Sequence, residues 1–403
     1  MKVVLRRLLV LLPLFSCPAF AQERNDRDEF ESFKRGAKQE IERDEDAYRN
    51  YKAETTAQFK RYVEEQRREF RKYVAGIEGK WGTEGVRTST QKDYVGYDKD
   101  FTQRRIVDFE KGKATVEVLV DQKEAADPEK VKKKIEEQIV ALLRDRGVDD
   151  PMAAKEHARP LAKPILAGQV PSSDGAPVTP DSARQFAEGV AMGSTIRTRE
   201  VVGKDGVTRI NASAGFSLMP DHLKRRAGEF RELIVKQARR FNLDPRLVFA
   251  LVHSESYFNP KARSPAPAYG MMQLVPASGG RTAYLHVYKQ DKLVTADYLY
   301  SPSNNVELGA GLLNAMLTRD FRNIKDEKSR VYCAIAGYNT GPGNVAKSFV
   351  GKRDIPRAVA KINQMTSDQV FEHLRRNLPF EETRTYMKTV TGHMPTYAEW
   401  SAR

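Results

Sequence analysis

Glu255 is the residue whose type and setting best suit acid–base chemistry. It falls near the C-terminal end of an apolar helical stretch, Arg246 to Ser254. Phe249, Val252, Tyr257, Phe258 and Met272 surround it in sequence. A carboxyl in such company is partly desolvated, which raises its pKa and keeps a proton on it near neutrality. A general acid for glycosidic cleavage needs that property. Taken alone, the same glutamate reads sooner as a residue on the wet face of its helix. Other reactive groups are less promising. His253 reads as packed or solvent-facing, and Cys333 sits in an apolar helix as a core thiol. His222, His286, His373 and His393 show no metal-ligand spacing, and two cysteines, Cys17 and Cys333, allow one disulfide at most. No metal or cofactor is expected.

The elements that must position Glu255 are helical. From Pro220 to the end, apolar residues recur at helical spacing: Leu223, Ala227, Phe230, Leu233, Ile234 and Ala238 predict a helix over 222–241. Asp244-Pro245 starts the next one, with Leu247, Val248, Ala250, Leu251 and Val252 as its apolar face. Stretches 304–319, 331–338 and 381–391 predict further helices. Upstream the period changes. Residues 105–109 and 113–120 flank Glu110-Lys111-Gly112 and predict a β-hairpin, with Ala114, Val116, Val118 and Val120 alternating. Residues 128–146 predict a helix between Pro128 and Gly147. Residues 151–180 read as loop, and 195–218 as a second strand pair around Gly203-Lys204-Asp205-Gly206. The 81–218 segment therefore reads as a small α+β domain for binding, positioning or structural support.

The chain of 403 residues suggests two or three domains. With 40% apolar and 30% charged residues it fits neither a disordered chain nor a membrane bundle. Residues 23–80 carry 15 acidic and 15 basic side chains and recurrent aromatics such as Phe59, Tyr62, Phe70 and Tyr73, which predict a long amphipathic helix or two. That arm reads as a docking or coiled-coil element, or as an extension packed on its own protein or a spacer. Residues 1–21 read as an export signal, with Lys2, Arg6 and Arg7, an apolar core and Ala19-Phe20-Ala21. A second reading makes Cys17 a lipidated first residue. Either way the mature chain leaves the cytoplasm. The net charge of +14 then favours a polyanionic partner outside it rather than nucleic acid.

The run Glu255-Ser256-Tyr257-Phe258-Asn259-Pro260 through Tyr269-Gly270-Met271-Met272-Gln273-Leu274-Val275-Pro276 closely resembles the signature of the soluble lytic transglycosylases, the goose-lysozyme-like glycoside hydrolase family 23. Ala336-Gly337-Tyr338-Asn339-Thr340-Gly341 and Leu378-Pro379-Phe380-Glu381-Glu382-Thr383-Arg384-Thr385-Tyr386 resemble its second and third motifs. Residues 92–97 and 219–223 resemble the N-terminal domain of the membrane-bound lytic murein transglycosylase C group. The resemblance implies a multidomain, mainly α protein. A lysozyme-like catalytic domain at 219–403 follows an α+β domain at 81–218, a charged helical arm at 22–80 and a signal at 1–21.

By the same resemblance Glu255 is the single acid/base. Ser264, Gln273, Val275, Tyr338, Asn339 and Glu382 line the substrate cleft, and Tyr386 supports its wall. Two departures, Tyr269 and Gly337, bear on substrate preference. The implied reaction cleaves the MurNAc–GlcNAc β-1,4 bond of peptidoglycan without water and leaves 1,6-anhydromuramyl ends. A hydrolytic muramidase on the same fold and a non-catalytic wall-binding scaffold are the alternatives. Peptidoglycan glycan strands are the expected partner, with a protein partner for the arm and a peripheral outer-membrane association also entertained. The expected location is the periplasm, with Cys17 as the lipoprotein alternative.

Overall fold

A computed structural model describes residues 22–148, 159–193, 195–264 and 267–400. The export-signal and Cys17 readings fall outside the described residues, as do Pro265 and Ala266 of the first motif and the side chains of Phe30 and Tyr48. The architecture is mainly helical with one five-stranded antiparallel sheet. The chain divides into two compact units, residues 1–65 and residues 66–403.

Helix α1 is a single element, Gln22–Trp81. Before residue 65 its large apolar side chains Phe33, Ile41 and Tyr51 are exposed. After residue 66 the same helix contributes to a core: Tyr73, Ile77 and Trp81 are buried against Val95, Tyr97, Leu119 and Val201 of the sheet. Arg104 lies 3.8 Å over the Trp81 ring, pairs with buried Glu117, and Asn211 Nδ2 donates to Glu117 Oε1 at 3.0 Å. A buried charge is tolerable only with such partners.

The sequence predicts two separate strand pairs; the structure joins them. Strands β1 (Asp93–Tyr97), β2 (Gln103–Asp108) and β3 (Lys113–Val120) form a meander. Strands β4 (Arg197–Val202) and β5 (Thr208–Ser217) add to it through β5, which pairs with β3 from Lys113↔Ser217 to Val120↔Ile210. The order is β1-β2-β3-β5-β4. Both faces of the sheet are covered, so β3 is buried from Val116 to Val120 on alternate sides. One face meets the end of α1. The other packs Val107, Phe109, Val116, Val118 and Ala212 against Ile135, Ile139 and Leu142 of α2 (Pro128–Arg144) and Ala183 and Ala187 of α3 (Ala183–Gly193).

The helix predicted over 222–241 is two helices. His222–Glu229 (α4) ends at Phe230, whose φ of −106° leaves the helical region, and Arg231–Arg240 follows. A ridge of apolar residues continuous in period therefore crosses a kink, which the period alone does not register. Helix α5 (Pro245–Ser256) begins at Asp244, whose carboxylate accepts from the Arg246 N–H, with Pro245 in the first turn. Nine of its side chains are buried, so it runs through the interior. Against it pack Arg231–Arg240, α8 (Glu381–His393) and the turn Met394–Trp400, while α6 (Pro302–Ala315) packs on Arg231–Arg240 and α7 (Glu327–Thr340) on α8. Cys333 is a buried free thiol, its pKa raised by burial.

Candidate active site

Helix α5 stops one residue after Glu255. Tyr257 and Phe258 take φ values of 50° and 58°, the left-handed region that non-glycine residues adopt only when their surroundings hold them. The turn ends the helix abruptly and leaves Glu255 at the negative end of its dipole, which disfavours a carboxylate there. Glu255 is 7% exposed. Burial pushes its pKa up to about 8; the hydroxyl of Tyr386 opposes that shift and the charge of Glu382 adds to it. Tyr386, on α8, donates its O–H to Glu255 Oε1 at 2.6 Å. The site thus holds a neutral carboxylic acid near pH 7, with Oε1 occupied by the phenol and Oε2 left to carry the proton.

The loop opposite is built from the first motif. Ser256 Oγ donates to the Met271 carbonyl at 2.8 Å, one residue after the acid. Asn305, fully buried on α6, accepts from Met272 N–H at 2.7 Å and donates to the carbonyls of Tyr269 and Leu299 at 2.8 and 2.9 Å. Gly270, at φ 76°, has no room for a Cβ, which would lie 2.4 Å from both Asn305 Nδ2 and the Leu299 carbonyl. Tyr338 on α7 donates its hydroxyl to the Met272 carbonyl at 2.8 Å. This ties the second motif to the first.

The expected site residues are placed as follows. Burial and then the charge of Glu255 raise the pKa of Tyr338 and Tyr386, and burial, opposed by the Tyr386 hydroxyl and aided by the charge of Glu382, raises that of Glu255, so the four are close enough to interact electrostatically. Tyr338 presents a half-buried ring, but its hydroxyl is committed to Met272. Asn339 accepts the hydroxyl of buried Thr383 at 2.6 Å, so its Nδ2 is the end left to donate. Gln273, at φ 45°, spends its Nε2 on the carbonyls of Gly270 and Ala262 at 2.9 and 3.2 Å. Its Oε1 is buried without a partner among the described residues. Gln273 can therefore only accept. Glu382 is exposed. Ser264 and Val275 are half-buried; Ser264 N–H donates to Ala268 O at 3.1 Å, and Val275 O accepts from Gly280 N–H at 2.9 Å.

The two departures from the motif lie in packed interior. Tyr269 is fully buried, edge-on to Tyr300, and its hydroxyl bonds Gln66 at 3.2 Å. Gly337 faces Phe321, 3.1 Å from where a Cβ would stand. Behind Glu255, His253 stacks on His393 at 3.6 Å and its Nδ1 lies 3.0 Å from the Tyr397 hydroxyl. Burial, then the charge of His393, lowers its pKa to about 3. Sequence reasoning missed Ser256, Asn305 and Thr383. Ser256 and Thr383 stand inside the quoted motifs, whereas Asn305 has no local signal beyond a polar residue in an apolar helix.

Residues 232–358 match the family described as Transglycosylase SLT domain, and residues 57–229 the family described as Membrane-bound lytic murein transglycosylase C, N-terminal domain. Glu382 and Tyr386 lie beyond the first match. The proteins named membrane-bound lytic murein transglycosylase C from Sodalis glossinidius and Cronobacter sakazakii are each 30% identical, over 81% of this chain and 88% and 87% of theirs. Among solved structures, an inactive mutant of the lytic transglycosylase Slt from Pseudomonas aeruginosa is 27% identical with a TM-score of 0.32, covering 42% of this chain and 24% of that one. The 70 kDa soluble lytic transglycosylase from Escherichia coli is 22% identical with a TM-score of 0.34, covering 45% and 26%. The chain spans about a quarter of the length of those two larger proteins. The family match and the relatives define an enzyme of the lytic transglycosylase class. The chain belongs to the membrane-bound lytic murein transglycosylase C family.

Proposed function

We propose that the chain cleaves the β-1,4 bond between N-acetylmuramic acid and N-acetylglucosamine in peptidoglycan, without water, using Glu255 first as acid and then as base. The observation that carries this reading is the buried Glu255 carboxyl, with Tyr386 on one oxygen and a pKa pushed up to about 8. A two-carboxylate glycosidase needs a second, ionised carboxylate flanking the bond. Glu382 is exposed, so the reading assigns it no covalent role. In the first step Oε2 of Glu255 gives its proton to the linking oxygen, the C1–O bond breaks, and the muramyl acetamide oxygen closes on C1. In the second step the Glu255 carboxylate takes the proton of the sugar's 6-hydroxyl, whose oxygen displaces the acetamide from C1. Atoms and protons balance without solvent, and the product is a 1,6-anhydromuramyl end.

Tyr386 supports both steps, because its O–H stabilises the carboxylate that forms between them. The half-buried ring of Tyr338 is assigned to face the cationic sugar. Asn339 Nδ2 is assigned as a donor to the substrate and Gln273 Oε1 as an acceptor for an N-acetyl N–H or hydroxyl. Ser264, Val275 and Glu382 are assigned to the cleft margins. The α+β segment, residues 81–218, is assigned to positioning the helical catalytic part, residues 219–403. The chain acts in the periplasm after removal of residues 1–21, or on the outer membrane if Cys17 is lipidated, and residues 22–65 serve a protein partner. Mass spectrometry of wall digested by the purified chain tests the reaction. Anhydro ends are expected. Reducing muramyl ends would make it a muramidase, and undigested wall a binding scaffold.

A further inference from the structure

A cavity of about 230 Å³ lies between residues 161–169, α4 and the turn that follows Glu255. Leu161, Ile165, Phe230, Pro260 and Pro302 line it with apolar surface. At its inner wall is Arg226, 3% exposed, on α4. The Arg226 Nε donates to the Phe258 carbonyl at 3.0 Å, and its Nη1 lies within 3.4 and 3.5 Å of the Ile165 carbonyl and Gln169 Oε1. Its guanidinium stands 3.5 Å over the Phe109 ring. Among the described residues its partners are all neutral, and Nη2 has none. The nearby carboxylate, Glu229 at the cavity rim, is engaged by Lys163 at 2.6 Å. Burial lowers the pKa of Arg226, to about 9. Among the described residues no carboxylate pairs with Arg226; a buried cation without one is costly, and one N–H edge is left over at the cavity that Arg226 lines.

We propose that this cavity is a binding site for a carboxylate carried on a small apolar body, seated with its oxygens on Arg226 and its apolar part against Ile165, Phe230 and Pro260. Resting on the function proposed above, the occupant is the terminal alanine carboxylate of a peptidoglycan peptide stem. A guanidinium edge recognises a carboxylate with charge-assisted bonds, and the lining matches a methyl side chain. The stem would thereby be anchored to the same arginine that holds the Phe258 carbonyl, three residues from Glu255.

The test is titration of the full mature chain, labelled on isoleucine methyl groups, with acetyl-D-alanyl-D-alanine, its carboxamide and acetate. The dipeptide is expected to shift the Ile165 signal saturably. The carboxamide and acetate should each bind at least about 10-fold more weakly, since one lacks the charge and the other the apolar body. Arg226→Gln removes the cation but also a brace of three segments, so Ala167→Trp, which adds bulk to the cavity lining and keeps the Arg226 cation, is the second variant. It should abolish the shift in a folded chain. Equal binding of dipeptide and carboxamide, unchanged binding by Ala167→Trp, or no saturable shift would overturn the site. Acetate binding as tightly as the dipeptide would overturn the stem as its occupant. None of these readouts needs turnover. Absent binding in a chain that releases anhydro ends sinks this inference alone, and binding in a chain that releases none sinks the proposed reaction alone.

Discussion

Glu255 carries opposite consequences for chemistry and for stability. Unfolded, its carboxyl titrates near 4.5; folded, near 8. Because the folded pKa is the higher one, ionisation favours the unfolded chain. The cost is absent below pH 4.5 and grows until about pH 8, where it amounts to a few kcal/mol. Glu255→Gln keeps the shape and accepts the Tyr386 hydroxyl without that cost. Melting curves from pH 4 to pH 8 should show the variant gaining stability over wild type as pH rises, while release of anhydro ends falls by about 10²–10⁴-fold. A constant stability difference across that range would mean that the folded carboxyl ionises normally. Tyr386 tunes the same equilibrium. Its hydrogen bond favours the carboxylate, so Tyr386→Phe should move the alkaline limb of the kcat/KM profile to higher pH. A limb that moves down would refute the role given to the phenol.

At the scale of elements, helix α1 changes its task along its length. The aromatic spacing is continuous, but Phe33 and Ile41 are exposed whereas Tyr73, Ile77 and Trp81 are buried under the sheet. Trp81 also donates Nε1–H to the Phe101 carbonyl at 2.6 Å and stacks on Arg104. Trp81→Ala should cost about 3–5 kcal/mol in denaturant unfolding, from the cavity and the exposed ion pair it leaves. Phe33→Ala and Ile41→Ala should stay within about 0.5 kcal/mol of wild type. If the three substitutions cost alike, the arm residues are packed as well. Helix α5 and the Tyr269–Gln273 loop show the same division of labour. The apolar run forms the helix, and the buried amide of Asn305 fixes the loop against it.

For the whole molecule, the sheet, its two helical covers and the helices around Glu255 all belong to the unit of residues 66–403. Both buried clusters of the sheet draw on side chains from that unit alone. A chain lacking residues 22–65 should therefore unfold in one cooperative transition with Trp81 fluorescence blue-shifted as in the full protein. Loss of that transition would show that the arm contributes to folding. The helices and most strands were readable because their residues repeat with the period of the element. The merging of two strand pairs into one sheet was not, because β3 and β5 are joined by about a hundred residues of separation and not by a turn. The break at Phe230 was hidden because both helices keep their apolar residues in phase.

By itself the sequence determined the mainly α class and the order of its parts. It also singled out Glu255, because hydrophobic period and motif order are local properties of the chain. Only the tertiary structure decided what surrounds that carboxyl. Tyr386 comes to it from 131 residues away. Asn305 fixes the facing loop from 33 and 36 residues away. Arg226 braces its turn from 32. Desolvation, and with it the protonation state, is set by packing among segments distant in the chain. A residue's neighbours in sequence cannot report it.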